Sequence, residues 1–506
     1  MKNMKRIIAS ILLIAVLVTG MMATLTGCDF GKKTAKDFVM PEGGYDGSAV
    51  TITFYHTMGA ALTSILTDAI GEFNKLYPNI TVEHKSYGDY DALLAQISTE
   101  ITAGNQPNLA YCYPDHVATY NVAGAVQSLD VFVNSTIVEK HANGETEETI
   151  GYTQDQLNDF ISAYYAEGLS YGDGKMYSVA LAKSTEVLYY NVDALKAAGV
   201  VDADGNVAPP TTWEEVEAAC IKLKAWDPNC IPLGYDSESN WFITMCEQYG
   251  SPYTSATGDN FLFDNDTNKS FIKEFREWYQ NKLVTTKELS GGYTSDLFTG
   301  NSSRATEGSE AAKGTRCYMC IGSTGGATYQ RPATNAANAN GYDFEVGIAP
   351  IPQVNTSAPK VISQGPSLCV FKKDNAQEVL ASWLFAKFLT TNVQYQARVS
   401  ESNGYVPVMK SVQNDPLYQE FLSAIDPATG KENLTKYITA YAVRVAIEQA
   451  ENCYTSPAFN GSSVARIQVG YLVQQCFVIA SNDGLDAAIN KAFSDCVAEC
   501  KYQIGQ

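Results

Sequence analysis

Histidine is scarce in this chain. Its 506 residues hold four, His56, His84, His116 and His141. None makes the H-x-x-x-H or H-E-x-x-H spacing that sets two imidazoles on one helix face around a metal. No G-x-S-x-G elbow, Walker loop or G-x-G-x-x-G turn after a strand is present, so acyl-transfer, nucleoside-triphosphate and dinucleotide chemistry have no marker. Twelve Cys occur, but Cys317-Tyr-Met-Cys320 is the only CxxC. No second CxxC or CxxH partners it, which argues against a zinc site, and its alternation also suits a buried strand. No cofactor and no metal are expected. Basic clusters are missing as well. The net charge is −20, with 35 Lys and Arg against 55 Asp and Glu. Such a surface argues against nucleic acid and against loose binding to anionic lipid, and its plain reading is solubility. There is no internal repeat.

What is present begins at the N-terminus. Lys2, Lys5 and Arg6 precede the apolar run Ile7–Val18, and small residues follow. This is the pattern of a secretory signal, with an apolar core shorter than the about 20 residues of a membrane span. Its end, Leu25-Thr26-Gly27-Cys28, resembles the lipobox of bacterial lipoproteins. The resemblance implies a signal peptide over 1–27 and a diacylglycerol on the Cys28 thiol. Two acyl chains anchor stably where one does not, so the chain is expected at the extracellular face of a cell membrane, in a Gram-positive-type bacterium. Residues 28–48 contain Pro41 and Gly43-Gly44 and no hydrophobic periodicity; they read as a flexible tether. Beyond Cys28 eleven Cys remain, an odd number that cannot pair fully within one chain. Free thiols outside a cell are open to oxidation, which suggests a habitat poor in oxygen.

From Ala49 onward more than 450 residues remain, too many for one ordinary core. Val50–Tyr55 alternates as a strand. Ala60–Tyr77 carries Leu62, Ile65, Leu66, Ala69, Ile70, Phe73 and Leu76 at helical spacing, and Pro78 ends it. Ile80–Val82 reads as a strand, Asp89–Thr102 as a helix, Asn108–Tyr113 as a strand and His116–Gly124 as a short helix. This alternation predicts an α/β layer with a mostly parallel sheet. Two apolar stretches between Lys175 and Asn191 are broken by Lys183-Ser184-Thr185. Thr212-Trp-Glu-Glu215 is a capping box opening a helix. Further helices are expected over 268–281, 377–389 and 436–450. The polar stretch 289–314 reads as a long loop.

Several segments in order resemble one family. They are Ile52-Thr-Phe-Tyr-His-Thr-Met-Gly59, Phe73-Asn-Lys-Leu-Tyr-Pro-Asn-Ile-Thr-Val82 and Ile101-Thr-Ala-Gly-Asn-Gln-Pro-Asn108. Then follow Ser184-Thr-Glu-Val-Leu-Tyr-Tyr-Asn-Val-Asp193, Pro209-Pro-Thr-Thr-Trp-Glu-Glu-Val216, Ala381-Ser-Trp-Leu-Phe-Ala-Lys-Phe-Leu389 and Asn403-Gly-Tyr-Val-Pro-Val408. With the lipobox in front, the chain resembles the extracellular solute-binding lipoproteins of ABC sugar importers, in the class of maltodextrin and glycerol-3-phosphate binders. The resemblance implies an α/β, two-lobed, periplasmic-binding-protein-like fold with a ligand cleft between discontinuous lobes. It places hinge crossings near Ser184, Ser323 and Gly365. Residues 49–184 plus 324–365 are then lobe 1, and 185–323 plus 366–506 lobe 2. The implied partners are a small carbohydrate and the permease subunits of an importer. The chain is expected to be a monomer without enzymatic activity.

Sugar recognition needs aromatic faces over C–H surfaces and polar groups for hydroxyls. The resemblance carries contact roles onto Tyr55 and His56 after the first strand, Tyr90, Asp115 after the third strand, Ser184, Ser323, Gly365 and Tyr405. Trp241 is placed as a stacking platform by position. Each has a plainer reading: half-buried packing for the aromatic residues, a satisfied turn for His56, and a cap or hinge for Ser184 and Ser323. The glycerol-3-phosphate binders have an Arg late in the chain, where this sequence has Ala458 or Phe459; Arg466 and Arg444 are the available substitutes. A neutral or lightly charged sugar is therefore expected. The other readings are a surface-anchored glycoside hydrolase, marked here by no short motif, and a lipoprotein presenting its sugar to a sensor kinase.

Overall fold

The computed structural model describes residues 38–142, 144, 146–425 and 431–506; the signal peptide, Cys28 and residues 29–37 lie outside the described residues. Strand β1 (Val50–His56) buries alternate side chains, the period of a strand. Helix α1 (Ala60–Leu76) buries Leu62, Ile65, Leu66, Ala69 and Phe73 on one face. After β2 (Ile80–Ser86), the Asp89 side chain caps α2 (Tyr90–Ala103) by accepting from the Ala92 amide at 2.8 Å. Strand β3 (Leu109–Cys112) turns directly into α3 (Pro114–Val122), with Pro114 in the first turn, where its fixed φ suits a helix start. These elements match the sequence reading closely.

Next come β4 (Val179–Ala180), β5 (Glu186–Asn191), α4 (Trp213–Trp226), β6 (Leu233–Tyr235) and α5 (Glu238–Gln248). They lead to α6 (Asp266–Gln280), β7 (Val284–Thr286), β8 (Met319–Ser323) and β9 (Val346–Pro350). The chain finishes with β10 (Ser367–Val370), α7 (Ala376–Thr391), α8 (Val393–Asn403), α9 (Leu434–Gln449), α10 (Ser462–Phe477) and α11 (Leu485–Gln503). Thr212 and Glu215 form the anticipated capping box on α4.

Two five-stranded sheets result, ordered β2-β1-β3-β10-β4 in the first lobe and β7-β6-β8-β5-β9 in the second. Neither is mostly parallel. β1 lies parallel to β2 and β3, and β6 parallel to β7 and β8. The pairings that involve β10 and β5 are antiparallel. The reason is topological. β5 and β10 each enter their sheet from the hinge, at the end where the parallel strands finish, so they run the other way.

The lobe partition of the sequence reading is corrected after Ser323. The chain does not cross there. It passes through a 3-10 helix (Thr324–Gln330) into β9, which pairs with β5 and completes the second sheet. Gly347 permits that pairing: a Cβ there would lie 2.1 Å from the Tyr190 ring. Beyond Gly365, β10 joins the first sheet, and Trp383, Phe385 and Tyr395 of α7 and α8 join the first core. The third passage is α9. Its Ala440, Val443 and Ala446 belong to the first core, while Ile438, Ala442 and Val445 pack under the second sheet. α10 and α11 then complete the second lobe's core.

Two further expectations are corrected. The stretch 289–314 is not all loop: Thr294–Thr299 is a helix with every residue buried. Its polarity is satisfied internally, the Thr294 amide and hydroxyl donating to Asp236 Oδ1 at 2.8 and 2.7 Å. The tether reading fails for 38–48, which packs on the first lobe through Phe38, Met40 and Tyr45. All eleven described Cys are free and ten are buried, Cys453 being the partly exposed one. Cys320 lies inside β8, with Cys317 just before it. Among the described residues no helix is long and apolar enough to cross a membrane.

Candidate functional site

A cavity of about 210 Å³ lies between the lobes. The first lobe contributes Tyr113, Pro114 and Asp115, where β3 becomes α3, and Glu167. The second contributes Ser237, Ser239 and Asn240 from the start of α5, Tyr253 and Thr254, and Ser462 and Arg466 of α10. The hinge segment 362–364 and residues 455–457 close it. The start of α5 faces the cleft because Ser237 is its N-cap, accepting from the Asn240 amide at 3.3 Å.

A chain of polar contacts crosses the cleft. Glu186 is fully buried at the start of β5 and accepts from Tyr235 Oη at 2.5 Å and Asn240 Nδ2 at 3.1 Å. Since the Asn240 amide donates to Glu186, its carbonyl faces the cavity and accepts from Arg466 Nη1 at 2.8 Å. Arg466 Nε donates to Asp115 Oδ2 at 3.2 Å. Arg466 and Asp115 stand on opposite lobes. The Thr119 and Ser463 hydroxyls also meet across the cleft, at 3.2 Å, and the Ala458 amide donates to the Ser170 carbonyl at 3.1 Å. Burial pushes the Glu186 carboxyl up to about 7, opposed by its bonds to Tyr235 and Asn240.

The lining is rich in hydroxyls: Ser237, Ser239, Thr254, Ser363, Thr455, Ser456 and Ser462. Three lining atoms, Tyr253 Oη, Thr254 Oγ1 and Gln364 Oε1, are buried without a hydrogen-bond partner in the protein. An unpaired buried polar group costs about 1–3 kcal/mol. Three around one cavity mark it as a place where a polar molecule supplies the missing bonds. Among the described residues Arg466 is the only cation in the lining, and Asp115 already compensates it.

The family of bacterial extracellular solute-binding proteins matches residues 68–422. This chain belongs to it. The sn-glycerol-3-phosphate-binding periplasmic protein UgpB of Escherichia coli K12 is 25% identical over 370 residues, 72% of this chain and 75% of that protein. Among solved structures, UgpB from Mycobacterium tuberculosis in complex with glycerophosphocholine has a TM-score of 0.65 at 17% identity, covering 90% of this chain and 99% of that one. Maltose-bound MalE3 from T. maritima has a TM-score of 0.64 at 16% identity, covering 90% and 100%. The two-lobed fold is thus shared, and substrate binding is the role of this chain.

The hinge of this solute-binding protein is built around buried charge. Lys183 and Glu167 form an ion pair with almost no exposure. Lys183 Nζ also donates to the Gly365 carbonyl at 3.2 Å and to Ser367 Oγ at 3.0 Å, and Ser367 Oγ donates to Glu167 at 2.8 Å. The pair therefore ties the crossing at Lys183 to the one at Gly365. Ser363 and Thr455 reach the other Glu167 oxygen at 3.4 and 3.5 Å, so the cavity wall and the hinge share one carboxylate. Gly365 has φ +94, and a Cβ there would meet the Ala182 carbonyl at 2.4 Å. Only glycine fits both demands.

Of the residues singled out from sequence, Asp115 lines the cavity directly. Ser184 and Ser323 meet at the hinge, Ser323 Oγ donating to Ser184 Oγ at 3.1 Å, while Ser184 exchanges two backbone bonds with Gln364 at 2.9 Å. Tyr90 packs against the cavity residue Tyr113, the rings tilted by 37° with centroids 4.4 Å apart. Tyr405 lies against Gly325, where a Cβ would be 2.7 Å from its ring. Three placements are corrected. Tyr55 faces away, its ring tilted by 53° against Tyr87 and its hydroxyl reaching Glu100 at 3.3 Å. His56 is a satisfied core histidine, 3.1 Å from His84 Nδ1 and accepting from the Met58 amide at 3.1 Å. Trp241 is 1% exposed in the second core and leaves no face for a sugar. Sequence reasoning missed Asn240, Tyr253 and Gln364. The one available signal was Ser237 three residues before Asn240, the spacing of a helix N-cap.

Proposed function

We propose that this protein captures an extracellular carbohydrate by closing its lobes around it and delivers it to the permease subunits of an ABC importer. The ligand is a neutral or lightly charged sugar. The observation that carries this reading is the lining itself, seven serine and threonine side chains with, among the described residues, a single cation already paired to Asp115. A phosphate ester wants an uncompensated, bidentate guanidinium, and Arg466 has committed Nε and Nη1. Both lining carboxylates sit in ion pairs, Asp115 with Arg466 and Glu167 with Lys183, and among the described residues no third lines the cavity. That supports binding without turnover over a glycosidase, which needs one carboxyl free as acid and one as base or nucleophile. The size, about 210 Å³, lies below the ~300–1,000 Å³ of drug-sized sites and suits a short sugar. The protein acts as a monomer, held at the outer face of the cell membrane by a diacylated Cys28.

Thermal shift against mono- and oligosaccharides, with glycerol-3-phosphate and glycerophosphocholine in the same screen, tests the ligand. A ligand at 100 times its Kd stabilises by about 2.7 kcal/mol. Stabilisation by phosphate esters alone overturns the sugar reading. Turnover of any glycoside, lost on mutating one carboxylate, overturns the binding role. The mass of the N-terminal peptide from membranes reports the lipid.

A further inference from the structure

The ion pair across the cleft is built from two fixed halves. Asp115 is the second residue of α3, in a first turn where the helix dipole favours a carboxylate. It is buried, and its Oδ1 accepts from the His116 amide at 3.2 Å. The Thr119 hydroxyl donates to the Asp115 carbonyl at 3.1 Å and holds the turn. The first lobe therefore presents Oδ2 as a fixed anion. Arg466 comes from the second lobe, early in α10, braced by Asn240 Oδ1 on Nη1 at 2.8 Å. Asp115 Oδ2 takes its Nε at 3.2 Å. Because the two residues stand on different lobes, the pair forms as the lobes close.

The Nε–H and one terminal N–H make the side-on edge by which a guanidinium grips a phosphate or carboxylate with two parallel bonds. Asp115 already sits on that edge. The charge of the lining adds to the exclusion, since among the described residues Asp115 and Glu167 stand against the single Arg466. An incoming phosphate monoester has to displace a carboxylate that is part of the lobe, and to leave it buried without its partner, a costly state. A neutral polyol leaves the pair whole. It bonds instead to the lining hydroxyls and to Tyr253 Oη, Thr254 Oγ1 and Gln364 Oε1, which lack partners in the protein.

We propose that Asp115 determines the charge class of the ligand: it stands in for a ligand anion on Arg466 and so restricts the site to neutral polyols. This rests on the neutral-sugar reading proposed above. Arg466 is then a latent phosphate-binding residue, and removing one carboxylate opens the site to small phosphate monoesters.

The test compares the purified full chain with Asp115→Asn and Asp115→Ser, titrated in a calorimeter with glycerol 3-phosphate and, as its neutral match, glycerol. Asn keeps the shape without the charge, and Ser is too short to reach Nε. Each lobe keeps its own core without the pair, so both variants should fold; melting without ligand checks this. Glycerol 3-phosphate should bind at least one variant about 10–100-fold more tightly than the unaltered chain, the scale of hydrogen bonds to a charged group, with no gain for glycerol. Adding Arg466→Gln should cancel the gain. No gain in either variant overturns the proposal, as does a gain that survives Arg466→Gln or that glycerol shares. Tight binding of glycerol 3-phosphate by the unaltered chain overturns the sugar reading as well. An unaltered chain stabilised by sugars, with both variants still blind to the phosphate, overturns the role of Asp115 alone.

Discussion

Asn240 and Trp241 are neighbours in sequence and belong to different worlds. Asn240 faces the cavity and joins Glu186 to Arg466. Trp241 points into the second core, stacked on Tyr235 with centroids 5.0 Å apart and packed on Phe275 at 4.4 Å. A helix turns about 100° per residue, which carries one side chain from a polar wall to a packed interior. The wall keeps polar groups awaiting partners. The core spends its aromatic surface on itself. Placing a residue near a cleft by sequence position therefore says little until the phase of its helix is known, and an aromatic side chain is the one most readily claimed by the core.

The contrast can be broken by substitution, in reducing buffer. The largest effect is expected for Trp241→Ala, which should destabilise by about 3–5 kcal/mol in denaturant titration, the usual cost of emptying an aromatic core site. Lost sugar affinity with stability intact would instead return Trp241 to the site. Arg466→Ala should weaken sugar binding about 10–100-fold in calorimetry, the scale of hydrogen bonds to a charged group; unchanged affinity would remove it from the wall. Asn240→Ala should weaken binding about 5-fold, one neutral hydrogen bond's worth. The smallest effect sharpens the comparison through pH. Glu186 holds its proton up to about 7 in the folded state, above the ordinary 4.5. The folded protein then binds more protons than the unfolded chain between those values, so this group's contribution is full below about 4.5 and lost as pH rises through 7. Glu186→Gln should flatten that part of the stability profile; an unaltered slope would mean the carboxyl titrates normally.

Local pattern was enough for the first half of lobe 1. Strands and helices from Val50 to Val122 alternate with turn signals between them, and each boundary depends on nearby residues such as Pro78 and Asp89. The same holds for Thr212 and Glu215. The exchange of β9 and β10 between lobes was not legible, because register is decided by distant partners, as Gly347 under the Tyr190 ring shows. Asp115 and the hinge positions were reachable through the family. Tyr253 and Gln364 were not, since nothing in their neighbours announces a cavity made by converging segments, and for Asn240 the Ser237 cap marks a helix start and not a cavity. Arg466 stood in view as a spare cation, but only the fold brings it to Asp115.

The thiols carry a consequence of another kind. Ten of the eleven described Cys are buried, and burial pushes groups such as Cys220, Cys246 and Cys320 well up from the ordinary thiol range. The thiolate is the reactive form, so the native chain is chemically quiet while its unfolded chain is not. In air, unfolding exposes these thiols to oxidation. Endurance outside the cell is then a lifetime, set by how rarely the native state opens, and not a melting midpoint.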